Sequence, residues 1–152
     1  MFRGDFSISL DAKGRMAVPS RYRERLAEHC SGKLVMTISL SERCLSVYPL
    51  PAWQGIEAKL ENLPAFDSKA QAISHLLIGH ATECELDSHG RFLIPQSLRE
   101  FAGLEKSMKM IGQVRKFELW AEGVWLARRD ELLGQVSDML EDPSESLRSL
   151  VL

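Results

Sequence analysis

The sequence has no apolar run long enough to span a membrane. A membrane-spanning helix needs roughly 18 or more consecutive apolar residues, and charged side chains interrupt the hydrophobic segments of these 152 residues before that length. Near the N-terminus, Asp5 and Asp11 stand where a signal peptide requires an unbroken apolar stretch. We therefore expect a cytoplasmic protein without a membrane partner.

Cysteine is scarce. The three cysteines, Cys30, Cys44 and Cys84, are odd in number and include no CxxC pair. This pattern indicates neither a disulfide framework nor a common zinc motif. We expect reduced and mostly buried thiols.

The motifs of several enzyme classes are absent as well. The chain contains no GxSxG, no phosphate-binding P-loop and no HExxH. A metal site built from His80, Cys84, Asp87 and His89 is an alternative, but the spacing of these residues matches no known zinc pattern. We assign no catalytic residue, no metal, no cofactor and no small-molecule substrate.

The charges are unevenly distributed although the net charge is only −2. Residues 3–33 contain seven Lys or Arg against four Asp or Glu, whereas residues 130–152 contain six acidic residues and one arginine. Binding responds to local charge more than to the total. The basic first segment is therefore compatible with an anionic ligand on one face.

An internal repeat is the most informative feature. Shifting the chain by 76 residues aligns LDAKGRMAVPSRYRE (10–24) with LDSHGRFLIPQSLRE (86–100), and seven of these fifteen positions are identical. Further on, CLSVYPLPAW (44–53) matches KFELWAEGVW (116–125) at an offset of 72. A β unit of roughly 45 residues cannot bury a stable core alone, so we expect the two copies to complete one core together.

Each copy begins with two short β-rich runs around a tight turn. In the first copy these are residues 7–10 and 16–18, separated by DAKG. The segment predicts a hairpin, because aspartate can accept a backbone N–H and glycine can adopt positive φ.

A helix and two more strands are predicted to complete the first copy. Ser20 is the predicted N-cap of a helix with Tyr22, Leu26 and His29 at helical spacing. The apolar segments LVMTISL and CLSVYP then predict two strands.

Apolar residues at helical spacing predict further helices between and after the copies. Two linker helices carry Trp53, Ile56, Leu60 and Leu63, then Phe66, Ala70, Ile73 and Leu77; a helix from about Glu122 carries Trp125, Leu132, Leu133, Val136, Met139 and Leu140. These faces exceed what two small sheets need, which favours homo-oligomerisation over simple capping of the sheets.

The segment DPSESLRSLVL (142–152) predicts a short terminal helix. Asp142 is its predicted N-cap, Pro143 its first residue, and Glu145 is placed for a capping box. Its apolar residues are Leu147, Leu150 and Val151.

These features resemble a known family. The pattern Asp-x-x-x-Arg across a glycine turn, followed by an apolar-Pro pair and a basic helix, resembles the SpoVT/AbrB swapped-hairpin DNA-binding fold. The tandem copies, the opening MFRG, the segment YPLPAW and the junction LLIGHATECELDSHGRFLIP are similar to the MraZ family over essentially the whole chain.

The resemblance implies an α+β fold, in which two tandem swapped-hairpin (AbrB-like) β units form a pseudo-symmetric double-unit barrel core with linker and C-terminal helices. The implied divisions are repeat 1 over 5–52, a helical linker over 53–80, repeat 2 over 81–124 and C-terminal helices over 125–152.

The resemblance also implies a function. It implies a transcriptional regulator of double-stranded DNA that binds repeated promoter boxes and represses its own promoter and the division and cell-wall gene cluster. The implied assembly is a ring-like homo-oligomer associated with the nucleoid. A ring presents one basic surface several times, so that weak contacts add.

The charge of the two copies indicates which one binds phosphate better. Residues 4–25 carry a net charge of +2, and the matched residues 80–101 a net charge of −2. Because phosphate neutralisation dominates affinity for duplex DNA, we expect the first copy to contribute more.

Arg15 is the leading candidate for a base contact. A guanidinium on a β-ribbon can form two hydrogen bonds with guanine in the major groove. The other predicted DNA contacts are Lys13, Arg3, Arg21, Arg23 and, in the second copy, Arg91.

Asp11, Gly14, Asp87 and Gly90 are predicted to shape the two turns. Alternatives for these charged residues stay open: a salt bridge between Asp11 and Arg15, a pairing of Arg25 with Glu28, and a subunit interface for Arg91.

Two other functions are alternatives. The acidic C-terminal segment also suits a non-enzymatic oligomeric module that binds another protein. An antitoxin-like use of the hairpin predicts a single copy followed by a disordered tail, and the duplication argues against it.

Overall fold

The computed structural model describes residues 1–150. In chain order the elements of this part are β1 (Asp5–Ser9), β2 (Arg15–Ala17), α1 (Ser20–Cys30), β3 (Lys33–Ile38), β4 (Leu45–Pro49), α2 (Leu50–Glu61), α3 (Ser68–Leu77), β5 (Thr82–Glu85), β6 (Arg91–Leu93), α4 (Gln96–Ala102), β7 (Ser107–Gly112), β8 (Phe117–Ala121) and α5 (Glu122–Glu141). One turn of 3₁₀ helix, Glu145–Leu147, follows α5.

The strands are arranged with pseudo-twofold symmetry. Six of them form an antiparallel sheet in the order β1-β7-β8-β4-β3-β5, and β2 pairs with β6 in a separate two-stranded ribbon. β1, β3 and β4 of the first copy correspond to β5, β7 and β8 of the second. If each strand is replaced by its counterpart, the same strand order is obtained, read from the other edge of the sheet. The predicted α+β class with two tandem swapped-hairpin units is confirmed.

The first turn does not join a paired hairpin, so the local prediction of a β1–β2 hairpin was wrong. β1 pairs with β7, from Asp5 opposite Ile111 to Ser9 opposite Ser107, whereas β2 pairs with β6. The turn residues specify only a local chain reversal. The ladder partners depend on which pairing buries the apolar face of each strand, and here that partner lies in the other copy.

One hydrophobic core joins both copies. Met16 of β2 and Phe92 of β6 lie opposite each other in the ribbon, and both are buried in this core. The central strands add near-continuous apolar segments, such as KLVMTI in β3, in which five of six residues are buried. Burial of one large apolar side chain contributes about 1.5–3 kcal/mol, so the shared core makes the stability of each copy depend on the other.

Helices α1 and α4 follow the ribbon strands at equivalent positions. The residues that they bury are Tyr22 and Leu26 in α1 and Leu98 and Ala102 in α4. The predicted N-cap at Ser20 was wrong: Pro19 is the N-cap of α1 without a side-chain bond, and Ser20 is the first helical residue. Pro95 has the same role in α4, because proline has no N–H to leave unpaired and its fixed φ suits a helix entrance.

The linker forms two helices, as predicted, with one difference. Trp53 is buried in α2, and the Asp67 side chain caps α3 by accepting the N–H groups of Lys69 and Ala70. Phe66 was predicted on the apolar face of the second linker helix, but it precedes this cap and is 100% exposed. A residue before an N-cap does not have helical geometry, so it does not share the helix face.

The chain from residue 122 onward forms a compact unit distinct from residues 1–121. Its helix α5 begins at Glu122, as predicted, and has no buried residue. The predicted terminal helix capped by Asp142 was wrong, because only a 3₁₀ turn is present, with Ser144 as an N-cap that makes no side-chain bond. Such a short segment is marginal as an α-helix without packing. Val151, predicted for this helix, lies outside the described residues.

The remaining predictions concern the three cysteine thiols, a possible metal site and membrane-spanning helices. Cys44 is buried, Cys30 and Cys84 are partly buried, and all three are free thiols. Burial raises the pKa of Cys44 and of Cys84 to about 12. Across residues 1–150 no group of three His, Cys, Asp or Glu could hold a metal ion, and no helix could cross a membrane. The metal alternative around Cys84 therefore gains no support.

Candidate nucleic-acid interface

The β2–β6 ribbon has a buried face and an outer face. In its ladder Arg15 lies opposite Leu93 and Ala17 lies opposite Arg91, while the central pair is buried. Because side chains alternate between the two faces of a strand, these four residues share the outer face. Arg15 and Arg91 are diagonal neighbours on it, a relation in which Cβ atoms are typically about 7–8 Å apart.

Asp11 closes the turn that leads into Arg15. Its Oδ1 accepts the backbone N–H groups of Lys13 and Arg15, both at 2.9 Å, and its Oδ2 accepts the Arg15 Nε–H at 2.9 Å. Gly14 has a φ of 84°, and its N–H donates to the Asp11 carbonyl. The bond from the Arg15 backbone is the main reason that the pKa of Asp11 lies below its ordinary value of 3.8. The turn and the salt bridge considered for this pair therefore occur together.

Asp87 closes the second turn in the same way. Its Oδ1 accepts the N–H groups of His89 at 2.8 Å and Arg91 at 2.9 Å, and its Oδ2 accepts the Arg91 Nε–H at 3.1 Å. Gly90 has a φ of 72°. The bond from the Arg91 backbone is again the largest cause that lowers the pKa of Asp87. The two copies thus build nearly identical turns from the sequences DAKGR and DSHGR, which differ at two positions.

The tips of the two turns differ in charge. The tip of the first turn carries the exposed Lys13, and the second carries His89 at the matched position. His89 Nδ1 lies 3.2 Å from Ser88 Oγ. With histidine counted as neutral, the first turn therefore has one more positive charge.

Each turn aspartate orients an arginine without occupying all of its donors. Within residues 1–150 the hydrogen bonds from the Arg15 and Arg91 side chains use only Nε. The Nη groups of both remain available on the outer face of the ribbon. Two parallel N–H groups are sufficient for a bidentate contact with guanine, so the salt bridge and a base contact are compatible.

Acid is expected to destabilise the fold through these two aspartates. Their pKa values are lower in the folded protein than the ordinary 3.8, so below about pH 4 the unfolded chain takes up protons that the folded chain does not. Their stabilising contribution is complete above that pH and is lost as pH falls through the folded pKa. Urea unfolding midpoints between about pH 5 and pH 3 should fall more steeply in the wild type than in the Asp11→Asn, Asp87→Asn double variant. An equal fall in both proteins would contradict this assignment.

Arg23, a predicted phosphate contact, is partly engaged within the protein. Its Nε–H donates to the Val18 carbonyl at 2.7 Å, and its side chain lies against Gly90 in the second turn. Arg99 was not among the predicted site residues but has the equivalent place, with its Nε–H donating to the Ile94 carbonyl at 2.9 Å. The 76-residue offset aligns Arg23 with Arg99 and is the signal that could have identified it.

Three arginines near the start of the chain line a cleft of about 260 Å³ together with Tyr22: Arg3, Arg21 and Arg25. The Tyr22 hydroxyl donates to the Arg3 carbonyl at 2.6 Å and accepts the Arg3 N–H at 3.0 Å. Arg21 lies 5.8 Å from the centre of the Phe6 ring, and Arg25 lies 6.0 Å from that of Tyr22. None of these arginines forms an ion pair within residues 1–150, so the alternative pairing of Arg25 inside α1 is not observed. Three unneutralised guanidinium groups around one cleft favour an anion there.

Gly14→Ala is expected to destabilise the protein by about 1–3 kcal/mol. A side chain is disfavoured at its φ of 84°, and the new Cβ would lie 2.8 Å from Arg99 Cζ. Gly103→Ala is the matched control, because Gly103 also has positive φ, 62°, but no atom within 4 Å of the added Cβ. Urea unfolding should show the larger loss for Gly14→Ala. Equal losses would show that Arg99 moves aside at no cost.

Comparison with known proteins finds relatives along the whole chain. A family model described as "MraZ protein, putative antitoxin-like" matches residues 1–76 and 77–139. Two proteins named "Transcriptional regulator MraZ", from Thioalkalivibrio sulfidiphilus and Pseudomonas aeruginosa, are 50% and 49% identical over 152 residues, which is 100% of this chain and of each relative. A protein of the same name from Methylococcus capsulatus is 52% identical over 151 residues, 99% of both chains. The two segments matched by the family model each contain one copy of the internal repeat.

Proposed function

This chain belongs to the MraZ family, and on that premise we propose that it is a transcriptional regulator that binds specific double-stranded DNA. The observation that carries the proposal is the outer face of the β2–β6 ribbon, where Arg15 and Arg91 both keep their Nη groups available. A face with two oriented guanidinium groups suits recognition of base edges better than it suits an apolar protein partner.

The two-stranded form of the ribbon is suitable for base readout. The major groove of B-DNA is about 12 Å wide and admits a two-stranded β-ribbon. Arg15 and Arg91, on opposite strands of the ribbon, are proposed to contact bases, preferably the O6 and N7 atoms of guanine. Asp11 and Asp87 are proposed to hold these side chains in the orientation that such contacts need.

The phosphate contacts are proposed to come mainly from the first copy. Lys13 is exposed at the tip of the first turn, and Arg3, Arg21 and Arg25 surround the basic cleft. Neutralised phosphates supply sequence-independent affinity that falls with salt. The acidic character of the matched segment in the second copy makes it the weaker contributor.

Homo-oligomerisation, in a ring-like assembly, is part of the proposal. Five large apolar side chains in the segment 63–78 are at least 38% exposed: Leu63, Phe66, Ile73, Leu76 and Ile78. Exposed apolar surface of this kind is typical of protein contacts. In a ring, several copies of the ribbon can bind repeated DNA boxes, so that their affinities combine.

The proposed cellular role follows the family resemblance. The protein is proposed to act in the cytoplasm at the nucleoid, and to repress its own promoter together with the division and cell-wall gene cluster. No catalytic step is assigned to any residue.

Selection of bound genomic fragments tests the proposed function. The full-length protein is mixed with sheared DNA from the organism that encodes it, and the retained fragments are sequenced. We expect enrichment of a few promoter segments that contain a short repeated motif. Recovery of all fragments in proportion to their abundance would contradict sequence-specific binding.

The alternative function is a protein-binding module in the C-terminal unit. It is supported by α5, where Leu133, Val136, Met139 and Leu140 are at least 41% exposed, and by the acidic residues nearby. The two functions are compatible in one protein, because they use different segments.

Deletion of residues 142–152 should leave the DNA affinity of each subunit unchanged, since no proposed DNA contact lies there. The affinity is measured by titration with a DNA fragment that holds a single motif, and the assembly mass by light scattering. A smaller mass would assign this segment to oligomerisation. A lower affinity of each subunit would contradict the proposed location of the interface.

A further inference from the structure

We propose that Arg23 and Arg99 are positioning residues, each of which holds the DNA-contacting turn of the opposite repeat. The inference rests on the proposed function, because it concerns how Arg15 and Arg91 are oriented towards DNA. We refer to Arg23 and Arg99 as the bridging arginines. Their role requires no contact with DNA.

Arg99 of the second repeat packs on the turn of the first repeat. Its Nε–H donates to the Ile94 carbonyl at 2.9 Å, and the Ile94 N–H donates to the Gly14 carbonyl at 2.9 Å. The guanidinium lies so close to Gly14 that an added Cβ would be 2.8 Å from Cζ and 3.0 Å from an Nη. Since Gly14 immediately precedes Arg15, Arg99 contacts the segment that carries the proposed base contact.

Arg23 of the first repeat does the same for the second. Its Nε–H donates to the Val18 carbonyl at 2.7 Å, and the Val18 N–H donates to the Gly90 carbonyl at 2.9 Å. An added Cβ at Gly90 would lie 2.5 Å from both Cδ and Nε of Arg23. Gly90 immediately precedes Arg91, so this contact also reaches a proposed base-contacting residue.

The bridging arginines connect each turn to an element outside that turn, which the turn aspartates do not do. Asp11 orients Arg15, but both belong to one turn and would move together with it. Arg99 comes from α4 in the other repeat and connects that turn to a separate packed element. A binding group must be held within about 0.5 Å of its productive position by such supporting contacts. These contacts between the repeats therefore make the orientation of the Arg15 side chain depend on the second copy, and that of the Arg91 side chain depend on the first.

Lysine substitution separates positioning from charge. Lysine keeps the positive charge of arginine but lacks the planar guanidinium and its Nε–H. A nonspecific phosphate contact tolerates this change, because phosphate binding depends mainly on charge. The bond to the carbonyl and the packing against the glycine do not tolerate it.

The experiment measures base preference at each position of a fragment selected by the wild-type protein. Competition with single-base variants first identifies the positions at which Arg15→Ala and Arg91→Ala lose preference. We expect Arg99→Lys to lose at least about fivefold preference at the Arg15 positions, and Arg23→Lys to lose as much at the Arg91 positions. Nonspecific affinity and its salt dependence should stay unchanged. Arg129→Lys, at an exposed position of α5 where no DNA contact is proposed, is the control for the same substitution and should keep every preference.

A role limited to stability has a different result. If the substitution only destabilises the fold, less protein is able to bind DNA. The base preference is then unchanged, because it is the ratio of the affinities of the folded protein for two DNA sequences. Reduced binding with unchanged preference would therefore overturn the inference, as would wild-type behaviour of both lysine variants. Arg99→Met keeps much of the side-chain volume without a donor and repeats the test if Arg99→Lys does not fold.

The same experiment separates this inference from the proposed function. A wild-type protein that prefers no fragment would overturn both. A wild-type protein whose preference is lost in Arg15→Ala but kept in Arg99→Lys and Arg23→Lys would overturn only the role of the bridging arginines.

Discussion

Arg15→Ala is expected to abolish sequence-specific DNA binding while the protein stays folded and keeps the assembly state of the wild type. A bidentate contact between a guanidinium and guanine contributes about 1–3 kcal/mol of discrimination, which corresponds to about 5- to 150-fold at each site. The loss multiplies where several subunits bind repeated boxes together. Arg15 lies on the outer face of the ribbon rather than in the core, so its removal leaves the packing intact.

Gel-shift titration of a selected fragment and of an unrelated duplex measures this loss. Lys13→Ala is the matched control, because it removes a positive charge from the same turn without removing a proposed base contact. It should weaken binding to all sequences alike and reduce the slope of log K against log salt by about 0.9. Arg91→Ala shows whether the second copy also reads bases. An unchanged preference of Arg15→Ala for the selected fragment would contradict the role of Arg15.

A polypeptide that contains only one of the two copies is expected to be unable to fold as a monomer. The ladders β1–β7, β2–β6, β3–β5 and β4–β8 each join a strand before residue 80 to one after it. Within a single copy only the ladders β3–β4 and β7–β8 remain. An isolated two-stranded unit is only marginally stable in water. Without the core side chains of the other copy, the apolar side chains of the remaining copy would also be exposed to water. A polypeptide of residues 1–80 should therefore be unfolded as a monomer.

Circular dichroism and urea titration of this polypeptide measure the effect. Residues 1–121, which form one compact unit, are the control and should unfold cooperatively. Mixing residues 1–80 with residues 81–152 should restore the cooperative transition. A homodimer of residues 1–80 is compatible with the structure, because a second copy can supply the missing strands. A cooperatively folded monomer of residues 1–80 would contradict the exchange of strands between repeats.

The turn chemistry was predictable from the sequence because its causes are local. Aspartate at the first turn position and glycine at the fourth satisfy bonds that span only four residues, and Asp11 and Gly14 adopt the predicted turn geometry. The linker helices and the start of α5 were predictable for the same reason, since periodic apolar residues act within one element. The terminal helix was not, because so short a segment depends on packing rather than on its caps.

The pairing of the strands could not be predicted from local pattern. The segments on both sides of DAKG have hairpin character, yet β1 continues along β7 and β2 along β6. The SpoVT/AbrB resemblance implied this exchange, whereas the spacing of residues did not. Arg99 was overlooked for a related reason: its partner Gly14 lies 85 residues away in the chain, and only the fold brings them together.

The sequence by itself determined the duplication, the α+β class, the two aspartate-glycine turns and the excess of basic side chains in the first copy. These depend on identity, periodicity and charge, which are properties of short segments. The tertiary structure decided that Arg15 and Arg91 share one outer face, and that an arginine of the other repeat contacts each turn. The physical reason is that neither copy can bury its apolar residues alone, so the copies exchange strands, and this exchange sets which distant side chains meet.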